Sequence, residues 1–384
     1  MERCRDRGLA RCRGEAVSID AVDRVFLRRT YELAERGRGN TVPNPCVGAV
    51  VARADFTLGE GFHHARGSPH AEVEALEATR NAGRDAHGAT LYVSLEPCSH
   101  DGLTPACTRA IRDAGIARVV IGARDRNPVA AGGAERLRDG GVTVEVADDP
   151  AAEAIVEDFA SAFASPRPYL TLKMAVSLDG FVAAQPSSTW LSGERARDFV
   201  RDLRIAHDAV LVGARTVRID NPQLTVRPPR ARRRPYRRIV ACASKPVPAE
   251  ARVFEPVEGY ARTLVLAPQL YRERFAPLES VADVIYVGDI EATRLDIEAA
   301  LEALKAREIF SVLCEGGPIL AGALLERRLV DRLHWIVAPQ LLANKDAVPA
   351  LARASVAGAL PEFRFDRVER LGDDLLLSAP FARE

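Results

Sequence analysis

The sequence has neither a net charge nor a long apolar run. Its 384 residues contain 53 Lys and Arg against 53 Asp and Glu, so no global basic field draws the chain to nucleic acid or to an anionic membrane. No stretch of about 18 apolar residues occurs, and we therefore expect no membrane-spanning helix. These absences favour small-molecule partners over nucleic acid and membranes, and they leave a homo-oligomer open.

Cysteine is scarce and odd in number. The seven cysteines are scattered along the chain, at Cys4, Cys12, Cys46, Cys98, Cys107, Cys242 and Cys314. Residues 1–19 contain five arginines but lack the apolar stretch of a secretory signal, so a disordered N-terminal tail is favoured over a targeting segment. We expect a cytoplasmic protein whose cysteines are reduced and form no disulfide framework, which makes paired cysteines candidates for metal binding.

The length and the alternation of helical and strand patterns indicate two α/β domains. Between 20 and 165 the patterns predict helices near 22–37, 70–82, 106–114 and 133–140, and strands at 46–52, 89–95 and 117–123. The segment Ser165-Pro166-Arg167-Pro168 interrupts the pattern, because proline disfavours helix continuation. From 166 to 384 the predicted strands are 169–178, 208–213, 237–243, 262–267 and 309–316, with helices near 193–206, 294–306 and 318–328.

One segment stands out by composition. Residues 227–238 contain seven arginines, and a solvated loop is the usual structure of such a run. Steering of a phosphate-bearing ligand is the alternative.

Three segments of the first domain carry residues suited to a metal site. His70 lies where a helix begins, Cys98 follows a strand, and Cys107 lies near the start of another helix. One nitrogen and two sulfur ligands leave a fourth position of a tetrahedral zinc ion open for water, as in catalytic zinc sites. Two thiolates cancel the charge of Zn²⁺, so a base is needed beside the metal, and Glu72 is the candidate.

This set resembles the zinc-dependent nucleobase deaminases, which combine a His-x-Glu segment with a later Pro-Cys. Eight residues separate Cys98 from Cys107, a spacing similar to that of the riboflavin-pathway branch. The resemblance covers 20–165 and includes the motifs Thr41–Gly48, Gly59–His63 and Asp125–Pro128. It implies a cytidine-deaminase-like α/β/α sandwich with zinc on His70, Cys98 and Cys107 and with Glu72 as the proton shuttle.

The same resemblance implies four residues that contact the aminopyrimidine or its ribose phosphate: Asn44, His63, His100 and Asn127. One position departs from the family pattern. Leu103 stands where the family has Lys or Arg facing the substrate phosphate. Either another arginine such as Arg66 supplies the charge, or phosphate binding is weaker.

The second domain lacks the Gly-x-Gly-x-x-Gly motif of Rossmann dinucleotide sites. Glu315-Gly316-Gly317-Pro318 instead lies between a strand and a helix. Glycines there allow close approach of the backbone to a phosphate, and the helix N-terminus offers N–H donors. The segment alone is equally typical of a plain turn.

Further motifs resemble the riboflavin reductase module, which has a dihydrofolate-reductase-like α/β fold and uses NADPH. They span 172–180, 190–192, 208–216, 220–227 and 314–339. The resemblance implies cofactor contacts from Ala175, Trp190, Ser192, Thr216, Asp220, Gly317, Pro318, Ile319 and Leu320. It implies substrate contacts from Lys173, Ser188, Arg204, Leu224, Arg227 and Glu315.

The second domain departs from the family pattern in three places. Phe181 replaces a Lys or Arg, the segment before Trp190 is one residue short, and Cys242-Ala243 replaces an Asp-Ser pair. The whole chain thus resembles the bifunctional riboflavin biosynthesis enzymes, which deaminate 2,5-diamino-6-ribosylamino-4(3H)-pyrimidinone 5′-phosphate and then reduce its ribosyl group to ribityl with NADPH.

Three alternatives stay open at this point. A family member with only its deaminase active would retain the second domain for packing. A zinc deaminase of nucleosides or tRNA would carry an unrelated second domain. A structural zinc module would close its site with a fourth ligand, such as His63 or His100.

Overall fold

The computed structural model describes residues 19–183, 191–343, 345–352 and 362–381. They form two compact units: the first comprises 19–35, 47–63 and 69–154, and the second comprises 36–46, 64–68 and the described residues from 155 onward. The predicted N-terminal tail falls outside the described residues apart from Ile19. Among the described helices, none has both the length and the apolar character that crossing a membrane requires.

The first unit is built on a five-stranded sheet in the order β2-β1-β3-β4-β5. Strands β2, β1 and β3 are antiparallel neighbours, whereas β3, β4 and β5 are parallel. The elements are α1 Ala21–Arg36, β1 Gly48–Arg53, β2 Phe56–Phe62, α2 Ala71–Asn81, β3 Thr90–Leu95, α3 Cys107–Asp113, β4 Arg118–Ala123, α4 Gly133–Asp139, β5 Thr143–Val146 and α5 Pro150–Ile155.

Apolar residues cover both faces of this sheet. Alternate strand residues such as Val51, Val93 and Ile121 pack against α2, α3 and α4, because successive side chains of a strand point to opposite faces. The intervening residues, such as Val50 and Val120, pack against α1. The unit is therefore an α/β/α sandwich, as the resemblance implies.

The N-terminal end of α2 lies unusually close to β2. A Cβ atom on Gly61 would lie 2.5 Å from the backbone nitrogen of Ala75 and 2.6 Å from the carbonyl oxygen of Ala71. Only glycine permits such an approach. The first turn of α2, which carries Glu72, is thereby fixed against the sheet.

The second unit is built on a nine-stranded sheet in the order β11-β10-β9-β8-β12-β6-β13-β16-β15. The strands from β11 to β13 are parallel, and β16 and β15 add antiparallel to that edge. A small ribbon pairs β14 with β7. The strands are β6 Tyr169–Ser177, β7 Phe181–Ala183, β8 Ala209–Gly213, β9 Arg237–Ala241, β10 Leu264–Pro268, β11 Asp283–Val287, β12 Ser311–Cys314, β13 Arg332–Ala338, β14 Val348–Pro349, β15 Arg367–Leu371 and β16 Asp374–Pro380.

The helices of the second unit cover both faces of its sheet. They are α6 Glu157–Ala164, α7 Glu194–Ala206, α8 Ala214–Asp220, α9 Arg272–Phe275, α10 Ile297–Lys305 and α11 Pro318–Glu326. Helices α10 and α11 bury Leu301 and Leu324 on one face, whereas Val217 of α8 and Phe275 of α9 pack on the other. The parallel strands end at one edge, where ligands of α/β folds bind.

The arginine-rich segment 227–238 is not simply a solvated loop, so that expectation is wrong for two of its residues. The side chain of Arg232 is buried and donates to the carbonyl oxygens of Gly39 and His207 and to Asp208 Oδ1. Arg238 is buried as well, with one contact to the carbonyl oxygen of Glu255. Carboxylate and carbonyl partners compensate the burial of the Arg232 charge.

A buried carboxylate ties α1 to the sheet of the first unit. Asp23 accepts two hydrogen bonds from Arg118, at 2.7 and 2.8 Å, and one from the Tyr92 hydroxyl at 2.9 Å. Arg118 also donates twice to Glu145 on β5. The hydrogen bonds from Arg118 lower the pKa of Asp23 from 3.8 to about 2.

We expect Asp23→Asn to lower the free energy of unfolding of the first unit by about 3 kcal/mol, because it leaves a buried part of Arg118 uncompensated. The Asp23 carboxylate makes its full contribution to the free energy of unfolding above pH 3.8 and loses it as the pH falls toward about 2. The difference in stability between the parent and the variant therefore becomes smaller between these two pH values. Thermal melting of the full-length chain measures it. Glu32→Gln, which removes an exposed ion pair with Arg29, is the control and should leave the melting curve nearly unchanged.

Candidate active sites

The three predicted metal ligands meet at one point of the first unit. His70 is the N-cap of α2, Cys98 follows β3, and Cys107 is the first residue of α3. Their donor atoms all lie within 4.8 Å of one another, and no other described group of His, Cys, Asp or Glu is so arranged. Neither His63 nor His100 belongs to the group, which does not fit a structural zinc site closed by four protein ligands.

The distances between these donor atoms match the edges of a zinc tetrahedron. His70 Nδ1 lies 3.2 Å from Cys107 Sγ and 3.6 Å from Cys98 Sγ. Zn–N and Zn–S bonds of about 2.1 and 2.3 Å at tetrahedral angles place nitrogen and sulfur about 3.6 Å apart. The donor set and its spacing therefore fit Zn²⁺ with Nδ1 of His70 as the ligand atom.

Glu72 is placed beside this group as the sequence requires. It is the second residue of α2 and is 3% exposed. Burial raises the pKa of Glu72, and its carboxyl group contacts the Cys107 thiol. Pro69 lies one residue before the N-cap, and the helix begins next to His70 as predicted.

The first N–H groups of α3 act on Cys98 rather than on Cys107. The backbone N–H of Cys107 donates to Cys98 Sγ at 3.3 Å, and that of Thr108 donates to the Cys98 carbonyl oxygen. Hydrogen bonds from the Cys107 thiol, from His70 and from the Cys107 backbone N–H lower the pKa of Cys98 to about 4. The neighbouring Cys98 sulfur and burial raise the pKa of Cys107. A cation between the two sulfurs favours loss of their protons.

Glu96 was not assigned a role from the sequence, yet it organises the loops around the ligands. Its buried carboxylate accepts backbone N–H bonds from Asp125, Gly132 and Ala134. These bonds connect the end of β3 to the loop after β4. The sequence signal for this role is an acidic residue that directly follows a buried strand and lies two residues before Cys98.

Two of the four residues expected to contact the deaminase substrate lie in these loops. Asn127 lies in the loop after β4, and its side-chain oxygen accepts the N–H of Val129. His100 lies between the two cysteines, and its Nδ1 is buried without a hydrogen-bond partner among the described residues. A ligand or water must satisfy that nitrogen.

The other two expected residues lie on different segments. His63 directly follows β2, and its ring stacks edge-on against His70 with centroids 5.2 Å apart. Its Nδ1 contacts the Pro69 carbonyl oxygen at 3.0 Å. Asn44 belongs to the segment 36–46 of the second unit, in a turn closed by its N–H and the Thr41 carbonyl oxygen.

In the second unit, Gly317 after β12 lies against α8. Gly317 is the N-cap of α11, with φ of 37°, and a Cβ atom on it would lie 2.8 Å from Thr216 Oγ1. Pro318 and Ile319 open α11, and Leu320 packs 3.7 Å from the Cβ position of Gly213. The structure thus brings Thr216 and 317–320 together, whereas Trp190 and Ser188 lie outside the described residues. The remaining expected cofactor residues are Ala175 on β6, Ser192 before α7 and Asp220 at the end of α8.

An ion pair between Arg204 and Glu315 lies at the same edge of the sheet. Arg204 Nε and Nη2 donate to the two Glu315 oxygens at 2.5 and 2.9 Å, and Nη1 donates to the Thr225 carbonyl oxygen at 2.7 Å. Burial opposes ionisation of Glu315, but Arg204 and Lys173 lower its pKa. Burial lowers the pKa of Lys173. The charge of Arg204 also lowers it, whereas the charge of Glu315 raises it.

The loop after α8 carries the last two expected substrate residues. Leu224 is buried with φ of 56°, and Arg227 is exposed. The loop is held by Arg204 and by the Tyr260 hydroxyl, which accepts the N–H of Val226 at 2.7 Å. Arg227 therefore directly follows two residues whose backbone is held in place.

Comparison with known proteins bears on both units. The family model described as the cytidine and deoxycytidylate deaminase zinc-binding region matches 21–123, and that of the RibD C-terminal domain matches 168–377. The chain is 37% identical to the riboflavin biosynthesis protein RibD of Aquifex aeolicus, over 94% of this chain and 98% of that one. It belongs to the RibD family.

Other relatives agree with this assignment. RibD of Escherichia coli is 36% identical over 92% of this chain and 98% of its own. The crystal structure of a diaminohydroxyphosphoribosylaminopyrimidine deaminase/5-amino-6-(5-phosphoribosylamino)uracil reductase from Thermotoga maritima is 34% identical, with a TM-score of 0.79 over 93% of this chain and 98% of that one. The chain is thus a bifunctional enzyme of riboflavin biosynthesis, with a zinc-binding deaminase domain and an NADPH-using reductase domain.

We expect the purified protein to hold about one zinc ion per chain. Cys98→Ser and Cys107→Ser should each lower the zinc content, because a hydroxyl is a harder and more weakly bound ligand than a thiolate. Metal analysis after dialysis measures the content, and Cys242→Ser, at a buried cysteine of the second unit, is the control. Full zinc occupancy in both ligand variants would contradict the assignment.

Proposed function

We propose that the first unit deaminates 2,5-diamino-6-ribosylamino-4(3H)-pyrimidinone 5′-phosphate by hydrolysis. The observation that carries this proposal is the group of His70, Cys98 and Cys107 with the Glu72 carboxyl group beside it. Three ligands leave room for a reacting molecule, and an acid next to them can handle its proton.

Each residue of the site has a distinct task in this proposal. Zinc, when bound, supplies Lewis-acid activation of water. Glu72 takes the proton of the attacking water and delivers it to the departing amino group. His100 offers its buried, unpartnered Nδ1 to the substrate, and His63, Asn44 and Asn127 are the further substrate contacts.

We expect Glu72→Gln to retain zinc and to lose deamination by at least about 10²- to 10⁴-fold, because an amide cannot accept the proton. Ammonia release from the diaminopyrimidinone ribosyl phosphate measures the loss. Glu77→Gln, on the exposed side of the same helix, should react like the parent. Near-normal ammonia release from Glu72→Gln would remove this residue from the mechanism.

We further propose that the second unit reduces the ribosyl group of the deaminated product to ribityl. NADPH, when bound, supplies the hydride. Glu315 directly follows Cys314, which pairs with Leu172, and Lys173 is among the groups that lower the pKa of Glu315. We therefore assign the accompanying proton to Lys173 with Glu315 rather than to Lys173 with Asp220. The turn at Gly317 and the start of α11 support a phosphate of the cofactor, since the first N–H groups of a helix have no partner within the helix.

Arg204 and Arg227 are the proposed partners of the sugar phosphate, and they differ in availability. Arg204 already donates to Glu315 and to the Thr225 carbonyl oxygen. Arg227 is exposed on the neighbouring loop. Arg227 is therefore the stronger candidate for the direct charge contact, with Arg204 holding Glu315 and the loop in place.

We expect Arg227→Ala to raise the KM for the deaminated substrate by about one to two decades, since a charge-assisted hydrogen bond contributes roughly 1.5–3 kcal/mol. NADPH oxidation by the full chain, given the deaminated substrate directly, measures it. Arg230→Ala, at an exposed arginine of the same segment, is the matched control. If the folded parent oxidises no NADPH even at saturating cofactor, only the deaminase is active.

We also propose the domain boundaries, the cellular location and the class of partners that go with these activities. The family matches at 21–123 and 168–377 support a deaminase domain over 20–165 and a reductase domain over 166–384. The free thiols at Cys46, Cys98, Cys107, Cys242 and Cys314 support a cytoplasmic location. Neutral net charge supports small-molecule substrates without nucleic acid, and a homo-oligomer stays a prediction.

A further inference from the structure

The loop between the two cysteines returns to the histidine ligand. Thr104 Oγ1 lies 3.2 Å from His70 Nε2, on the side of the ring away from the sulfur atoms. Because Nδ1 faces both sulfurs, a ligating His70 carries its proton on Nε2. That N–H then donates to the Thr104 hydroxyl oxygen.

We propose that Thr104 is a positioning residue of the metal site, which fixes the tautomer and the ring orientation of His70 and thereby sets the zinc affinity. A ligating histidine commonly donates its second N–H to an outer partner, and loss of that partner typically weakens metal binding about 10- to 100-fold. In this chain the partner comes from the eight-residue segment that separates Cys98 from Cys107.

The segment holds Thr104 in place through its own contacts. Asp101 Oδ1 accepts the N–H of Ala106 at 2.9 Å, and both Asp101 oxygens accept from Arg109 Nη2. The N–H of Gly102 donates to the Thr104 carbonyl oxygen at 3.0 Å. The hydroxyl is therefore presented from a closed loop whose two ends are metal ligands.

Ser99 provides a matched comparison within the same loop. Its hydroxyl donates to the carbonyl oxygen of Ala131 at 2.9 Å, and within the described part of the chain it has no hydrogen bond to His70, Cys98 or Cys107. Ser99→Ala thus removes a loop hydroxyl without changing the surroundings of His70. Thr104→Val keeps the shape and removes the hydroxyl, and Thr104→Ser keeps the hydroxyl.

The test is the zinc dissociation constant of the full-length chain, measured by competition with a chromophoric chelator. We expect Thr104→Val to raise it about 10- to 100-fold, whereas Thr104→Ser and Ser99→Ala stay near the parent value. The inference is overturned if Thr104→Val binds zinc like the parent, if Ser99→Ala weakens binding equally, or if Thr104→Ser is as weak as Thr104→Val.

Two controls keep the outcome decisive. Melting of the metal-free proteins shows whether each variant is folded, and Thr104→Ala, read by the same criteria, replaces the valine variant if that one is not. The inference rests on the proposed zinc ligands, but the experiment distinguishes a wrong ligand assignment from a wrong role for Thr104. A parent protein without zinc contradicts the ligand assignment, whereas a zinc-binding parent with an unaffected Thr104→Val contradicts only the role of Thr104.

Discussion

The first unit depends on one constraint: two thiols and an imidazole from three separate segments must end within a few ångströms of one another. Close packing of α2 on β2, which requires Gly61, places the start of α2 and its N-cap His70. Cys98 follows β3, and its sulfur and carbonyl oxygen accept the first N–H groups of α3, so that Cys107 is brought to the same point. Backbone contacts thus hold the three donors within 4.8 Å of one another.

Two buried charges elsewhere are each enclosed by several partners. Asp23 has Arg118 and Tyr92, and Arg204 has both Glu315 oxygens and a carbonyl group. Such sets are costly to break because the remaining charge stays desolvated. At Glu315 the same enclosure lowers the pKa of the carboxyl group, whereas burial lowers the pKa of Lys173. The contacts that compensate buried charge at this edge of the sheet therefore also set the pKa values of these two groups.

Residue types and order suffice to predict which residues gather at the candidate metal site, because the chemistry of zinc restricts what can bind it. Eight strands with apolar runs are predicted to within a few residues, but β13 and β16 are missed although they also contain such runs. Strand β2 is missed as well, since its glycines lower strand propensity and serve the packing of α2. The enclosure of Arg204, the burial of Arg232 and the contact of Thr104 with His70 depend on how loops fold back, and local sequence carries no signal for them.

The residues that depart from the family pattern lie in different structural environments. Cys242, which replaces an acid, is fully buried in the apolar cluster of β9 and β10, where burial raises its pKa to about 12. Phe181 lies in the ribbon of β7 and β14, and its N–H donates to Ser177 Oγ. Apolar packing thus accommodates Cys242, and strand pairing with a backbone hydrogen bond accommodates Phe181. Leu103 is different, because its side chain is 78% exposed and has no packing role. An apolar residue at that position contributes no charge, so a phosphate bound near the zinc ligands must be neutralised by other residues.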